Sequence, residues 1–342
     1  MLHRFSQMLA GCTIVLILAG SLVTSNGAGL SVPDWPTSYG WNMFTFPPSM
    51  WVANILYEHG HRLIASCVGA LTIALVCWLW IARVPRWLRW FGVVALSTVI
   101  AQGLLGGLTV LFFLPPAIST AHAALAELFL CATISIALFT SPRWAAQFAP
   151  VDDVRLRRLT TFTTAAVFCQ ILVGATMRHT GAGLAIRDFP WMFGHVVPDH
   201  WTPGIAIHFG HRLGAAIVSL AIVSTVADIW RRFRHRTELT SASMVLLLLV
   251  LTQLTLGAFV VLSHLQPWVN SLHVVVGAMT LATSLVIALR AWQVRFPRES
   301  EDVRWSARGD VGRHDRALSG LAAEKVLSIP SSYAPQIRNL LS

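Results

Sequence analysis

The sequence predicts an all-α integral membrane protein. Eight transmembrane helices form two four-helix bundles related by a pseudo-twofold axis along the membrane normal, with both termini cytoplasmic. Three observations carry this expectation: an apolar composition, arginines confined to alternate connections, and an internal repeat. Of 342 residues, 55% are hydrophobic and only 12% are charged, and the mean hydropathy is +0.63. A chain so poor in charge has lipid, not water, as its main solvent.

A helix needs about 20 apolar residues to cross a bilayer. Eight stretches qualify, roughly 8–25, 60–82, 90–113, 117–141, 160–177, 205–229, 242–263 and 270–292. The connections then sort by charge. Arg83, Arg86 and Arg89 follow the second stretch, and Arg143, Arg155, Arg157 and Arg158 follow the fourth. Arg231, Arg232, Arg234 and Arg236 follow the sixth, and Arg295 and Arg298 the eighth. The connection 26–57 has no Lys or Arg. Basic loops stay in the cytoplasm, so the expected home is a bacterial inner (plasma) membrane, with the first stretch read as a retained helix. The net charge of +10 is explained by these loops and by no nucleic-acid surface. From residue 297 long apolar runs cease and charges mix, as in a cytoplasmic polar tail. The expected organisation is an N-terminal bundle (1–143), a cytoplasmic linker (144–159), a C-terminal bundle (160–296) and the tail (297–342).

Five cysteines (Cys12, Cys67, Cys77, Cys131, Cys169) lie inside apolar stretches with no CxxC spacing. They read as small buried hydrophobes, and zinc and iron–sulfur sites have little support.

The halves align. GSLVTSNGAGLSVPDWP (20–36) matches GATMRHTGAGLAIRDFP (174–190), and EHGHRL (58–63) matches HFGHRL (208–213). Gln102 precedes His122 by 20 residues, as Gln253 precedes His273. The offsets are 154, 150 and 151. Three anchors in order indicate a duplication, with four helices per copy.

The duplication ranks the histidines. Residues two apart on a helix point in widely different directions, so His59 and His61 do not serve one site. His211 keeps the place of His61, while Phe209 replaces His59. His122 and His273 begin the fourth and eighth stretches. His61, His122, His211 and His273 are therefore expected at one depth near the outer surface, one pair facing each bundle interior. Ionisable groups in lipid usually mark function. Two axial histidines suit haem iron, whose remaining ligands come from the porphyrin, whereas zinc or copper calls for more protein ligands. Gly103, Gly106 and Gly107 leave room for a porphyrin face or for close helix packing. Arg62 and Arg212 are candidates for haem propionates, or for lipid phosphate. Glu127, five residues beyond His122, is a further candidate as a proton-path residue or as the partner of a helix neighbour. His179, His195, His200 and His264 read as solvated or structural loop residues, and Asp34 and Asp188 as loop-folding residues.

These motifs, from EHGHR at 58–62 and QGLLG at 102–106 through His122, His211-Arg212 and His273, resemble haem A synthase over residues 8–292. The resemblance implies oxidation of the C8 methyl of haem O to a formyl group, through successive hydroxylations and loss of water, for cytochrome oxidase. It assigns His61 and His122 to the substrate haem and His211 and His273 to a permanent haem b. Glu58, three residues before His61, has His208 as its counterpart. That asymmetry, together with the resemblance, makes Glu58 the candidate catalytic carboxylate; a solvated carboxylate at a helix start is the other reading. The loop cysteine pair that some bacterial members of that family carry is missing from 26–57, as in other members, so no disulfide role is expected there. Implied partners are haem O, an unidentified electron donor, the lipid bilayer, haem O synthase and oxidase assembly factors, and a second copy in a homo-oligomer. The competing reading is a di-haem b-type membrane cytochrome that transfers electrons without oxidising a methyl group. A channel ranks last, because the histidines lie near the outer edge.

Overall fold

The computed structural model describes residues 1–145 and 153–292. The tail expected at 297–342, Arg295 and part of the expected linker lie outside the described residues. The described chain is helical, with helices α1 (Leu2–Ser25), α2 (Asn54–Ile81), α3 (Arg86–Leu111), α4 (Pro116–Phe139), α5 (Pro142–Ala145), α6 (Val154–His179), α7 (Pro203–Arg232), α8 (Thr237–Leu262) and α9 (Pro267–Trp292). All except α5 are long and apolar enough to cross a bilayer. The protein is a multi-pass membrane protein.

Local chemistry sets where the helices begin. Proline opens α4, α7 and α9, where a missing N–H is harmless. Asp153 caps α6 by accepting from Leu156 N–H (2.7 Å), and Thr202 caps α7 by accepting from Ile205 N–H (3.2 Å). Because α2 begins at Asn54, the segment 58–62 lies inside the helix, not at its start as the hydropathy boundary suggested. Asn54, Tyr57, Glu58 and His59 hid that first turn.

In the first half α1 packs on α2 and α4, and α3 on α2 and α4. In the second, α6 packs on α7 and α9, and α8 on α7 and α9. Between the halves, α1 meets α9, α4 meets α6, and α4 meets α9. Leu130, Ala278 and Ala282 are buried along this seam with Ile14, Ile17 and Ile134.

Cysteine placement differs from expectation. Cys67, Cys77 and Cys169 lie on exposed helix faces, and Cys12 and Cys131 are partly buried. In lipid the outside of a bundle is as apolar as its core, so hydrophobicity alone does not separate the two.

The loops 26–53 and 180–202 share local geometry at an offset of 154. Ser38 pairs with Trp41 as Met192 pairs with His195. Tyr39 and Phe193 have positive φ, as do Gly27, Gly40, Gly181 and Gly194. Asp34 accepts from Tyr39 N–H (2.7 Å), Gly40 N–H (2.8 Å) and the Thr37 hydroxyl (2.5 Å). Asp188 accepts from Phe193 and Gly194 N–H groups at 3.0 Å. Both aspartates therefore fold their loops. Burial acts to raise the Asp34 carboxyl, but donors from Gly40, Thr37 and Tyr39 outweigh it and hold the group below its ordinary range. A depressed carboxyl stabilises its fold above the unfolded-state value, and that contribution disappears as pH falls through the folded value. Limited proteolysis within 26–53 should therefore accelerate on acidification below the ordinary aspartate range. In Asp34→Asn it should be fast already at neutral pH, and equal rates for the two proteins at pH 7 would contradict this role.

Candidate functional site

The four histidines shared by the repeat all lie on helices that begin at one end of the bundle, α2, α4, α7 and α9. Each ring rests against a glycine of a neighbouring helix. An ideal Cβ on Gly20 would stand 2.9 Å from His61 Cε1, and one on Gly174 would stand 2.9 Å from His211 Cε1. The corresponding distances are 3.1 Å from Gly106 to His122 and 3.1 Å from Gly257 to His273. Of the glycines expected beside a porphyrin, Gly106 thus faces a histidine. Gly107 faces the Trp35 ring at 2.5 Å, and Gly103 meets nothing within 4 Å. The small residues serve ring and loop packing.

Glutamines complete these settings. Gln102 Nε2 lies 3.3 Å from His122 Nε2 and donates to the His122 carbonyl at 2.9 Å. Gln253 Nε2 lies 3.3 Å from His273 Nε2. Gln170 Nε2 lies 3.0 Å from His211 Nδ1 and donates to its carbonyl at 2.7 Å.

His211 and His273 face one another with ring centroids 6.5 Å apart. His61 and His122 are close enough to interact electrostatically. Nδ1 of His61, His122 and His273 is buried without a hydrogen-bond partner. A buried orphan nitrogen is costly unless something else engages it. Two imidazoles bound to one metal at about 2.0 Å each would have centroids about 6 Å apart. The described residues contain no group of three His, Cys, Asp or Glu side chains able to hold a bare ion. Paired histidines with orphan nitrogens therefore fit a metal that brings its own equatorial ligands.

The arginines and Glu58 occupy positions the sequence did not indicate. Arg62 Nη1 donates to the carbonyls of Asp34 (2.7 Å) and Thr37 (3.0 Å), and Nη2 to that of Val32 (2.8 Å) and to Glu58 Oε1 (2.6 Å). Glu58 Oε2 accepts from Val32 N–H at 2.8 Å. In the second half Arg212 donates to the carbonyls of Trp191 (3.1 Å), Ile186 (3.3 Å) and Asp188 (2.7 Å). His208 Nδ1 accepts from Ile186 N–H at 3.3 Å. Both arginines thus clamp the loop above their bundle. Glu58 and His208 take the same loop amide in matched positions.

His59 is fully buried, 3.1 Å from the Ser38 hydroxyl and packed by Phe46 and Trp51. It belongs to the loop packing. Glu127 is buried on α4 with Oε2 unpartnered, and Ala278 holds its place on α9. His179 ends α6, partly buried and within electrostatic reach of His122, so it is not a solvated loop residue. His200 pairs with Asp199 and packs against Phe193, rings tilted, in the exposed loop. Gln170 and Arg178 lacked a counterpart in the first copy, so the repeat did not draw attention to them.

A helical membrane protein with two glycine-walled histidine pairs belongs to the class that can seat a flat metal macrocycle between helices. The sequence matches the COX15-CtaA family, "Cytochrome oxidase assembly protein", over residues 3–285. The chain belongs to this family. It is 30% identical to "Heme A synthase" of Shouchella clausii over 270 residues, which cover 77% of this chain and 87% of that protein. It is 30% identical to "Heme A synthase" of Symbiobacterium thermophilum over 282 residues (76% and 87%). With "Heme A synthase" of a Caulobacter species it shares 28% identity over 338 residues (85% and 95%).

Proposed function

We propose that this protein is a haem A synthase, an oxidoreductase converting the C8 methyl of haem O to a formyl group for cytochrome oxidase. The observation that carries the reading is the duplicated histidine pair, with buried ring nitrogens left without partners, in a chain of this family. His61 and His122 would hold the substrate haem, and His211 and His273 a resident haem b. When bound, haem b supplies one-electron redox chemistry. In this proposal the protein is organised as two bundles, 1–143 and 160–296, related by a pseudo-twofold axis. It sits in a bacterial inner membrane with the histidine end outward and both termini cytoplasmic.

The protein's own residues position and enclose. Gly20 and Gly106 set the His61 and His122 rings, and the Arg62 clamp lowers the 26–53 loop over that end of the bundle. Both Glu58 oxygens are held, one by Arg62 and one by the Val32 amide. We therefore assign Glu58 a positioning role, holding Arg62 and the loop beside His61, in place of the direct catalytic role suggested by sequence. The Nη groups of Arg62 and Arg212 are spent mainly on loop carbonyls, so the clamp is the role we give them. Glu127, buried with Oε2 unpartnered where the second copy has Ala278, is the candidate proton-holding group on the substrate side. An electron donor is required; haem O synthase, oxidase assembly factors and a second copy of the chain are the proposed macromolecular partners.

The test is expression in a bacterial host that makes haem O but no haem A, followed by mass analysis of extracted haems. Hydroxylated and formyl haems are expected. Folded, haem-loaded protein accompanied by haem O alone would favour the di-haem electron-transfer cytochrome instead.

A further inference from the structure

Residues at four-residue spacing share a helix face. On α6, Gln170 and Gly174 both contact His211. Arg178 continues that face by one turn towards the helix end. Its Nη1 donates to the Ser21 hydroxyl (3.0 Å), and its Nη2 to the Ser21 carbonyl (2.7 Å) and the Ser25 hydroxyl (2.7 Å). The Ser25 hydroxyl lies 2.9 Å from that of Ser271 on α9. These partners are all neutral, and Arg178 makes no ion pair among the described residues. It also lies within electrostatic reach of His273. A partly buried guanidinium among neutral serine partners, within reach of His273 and one turn beyond the residues that contact His211, is suited to binding an anion.

The matched face of α1 carries Leu16, Gly20 and Thr24. Gly20 accommodates His61 as Gly174 accommodates His211. Leu16 offers no hydrogen bond, and the Thr24 hydroxyl turns back to the Gly20 carbonyl at 3.4 Å. The two histidine pairs therefore share the glycine contact, but α6 carries an amide and a cation on that face where α1 carries neither.

We propose that Arg178 is the carboxylate-binding residue of the His211–His273 site, taking a propionate of the macrocycle held there. This cation makes the second site the retaining one, while the His61–His122 site, with Thr24 in that place, lets its ligand exchange. The proposal rests on the haem reading above.

The experiment measures the rate of haem transfer from the purified full-length protein to excess apomyoglobin, together with a redox titration of the bound haem. Arg178→Gln should accelerate loss from the His211–His273 site about tenfold or more and lower its midpoint potential. Arg178→Lys should restore most of the potential. A second arm uses the wild-type chain, reconstituted with iron protoporphyrin or with its dimethyl ester. The ester should be lost faster than the free acid, and Arg178→Gln should abolish that difference. The reciprocal Thr24→Arg should slow exchange at the His61–His122 site. Wild-type protein that binds no haem with a two-histidine spectrum would overturn the haem reading itself. Wild-type binding with equal loss rates for acid and ester, or an unchanged rate and potential in Arg178→Gln, would overturn only the Arg178 assignment. Loss of co-purified phospholipid from Arg178→Gln with haem retention intact would assign the cation to a lipid phosphate and equally overturn it.

Discussion

His211→Ala and His273→Ala should each remove the stably bound haem b, while His61→Ala and His122→Ala should abolish formyl product and leave that haem in place. The expected effect is large. Loss of groups that merely orient a metal ligand costs about 10–100-fold in affinity, and loss of the ligand itself costs more. The cradles are independent enough for this division, because His61 and His122 are set by Gly20 and Gly106, and His211 and His273 by Gly174 and Gly257. Difference spectra of reduced protein report retained haem b, and mass analysis of extracted haems reports product. Equal loss of the same haem from all four variants would refute the division of labour.

Gly174→Leu should be nearly as damaging as losing His211, although it removes no ligand. Even a Cβ at that position stands 2.9 Å from the imidazole, so a branched side chain must move the ring or part α6 from α7. Overpacking of this kind costs about 1–3 kcal/mol when the surroundings yield, and more when they do not. Gly174→Ala should give a partial loss. Gly69→Ala on α2, where nothing lies within 4 Å, is the matched control and should leave haem content unchanged. A gain of helix stability by about 0.5–1 kcal/mol is expected there, since alanine favours helix more than glycine does. Normal haem content in Gly174→Leu would show that the ring does not depend on the glycine.

The membrane helices were legible, and the four candidate histidines could be singled out, because both leave strong marks on sequence. Lipid demands long apolar runs, and the repeated segments carry each candidate histidine twice. What escaped was conveyed by neither. The Arg62 and Arg212 clamps depend on loop carbonyls, which every residue possesses, so no side-chain pattern announces them. Glu58 looked distinctive because its counterpart is a histidine, yet His208 accepts the equivalent amide through a ring nitrogen. Different side chains met one geometric need. The glycines at 20 and 174 were visible as repeated letters, but their purpose required the histidine rings to be placed beside them. Arg178 was hidden for the opposite reason: it lies inside an aligned segment, but at a position where the other copy has Thr24.

The seam between the halves has a consequence for ancestry. The contact of α1 with α9 has its counterpart in that of α4 with α6, since α1 matches α6 and α4 matches α9. Two identical bundles meeting this way would form an isologous homodimer, each presenting the same patch to the other. Had such bundles been joined in one chain, each side of the interface would have been free to mutate alone. Ser21 and Ser25 facing Arg178 are the kind of one-sided contact that a symmetric ancestor would have been obliged to make twice.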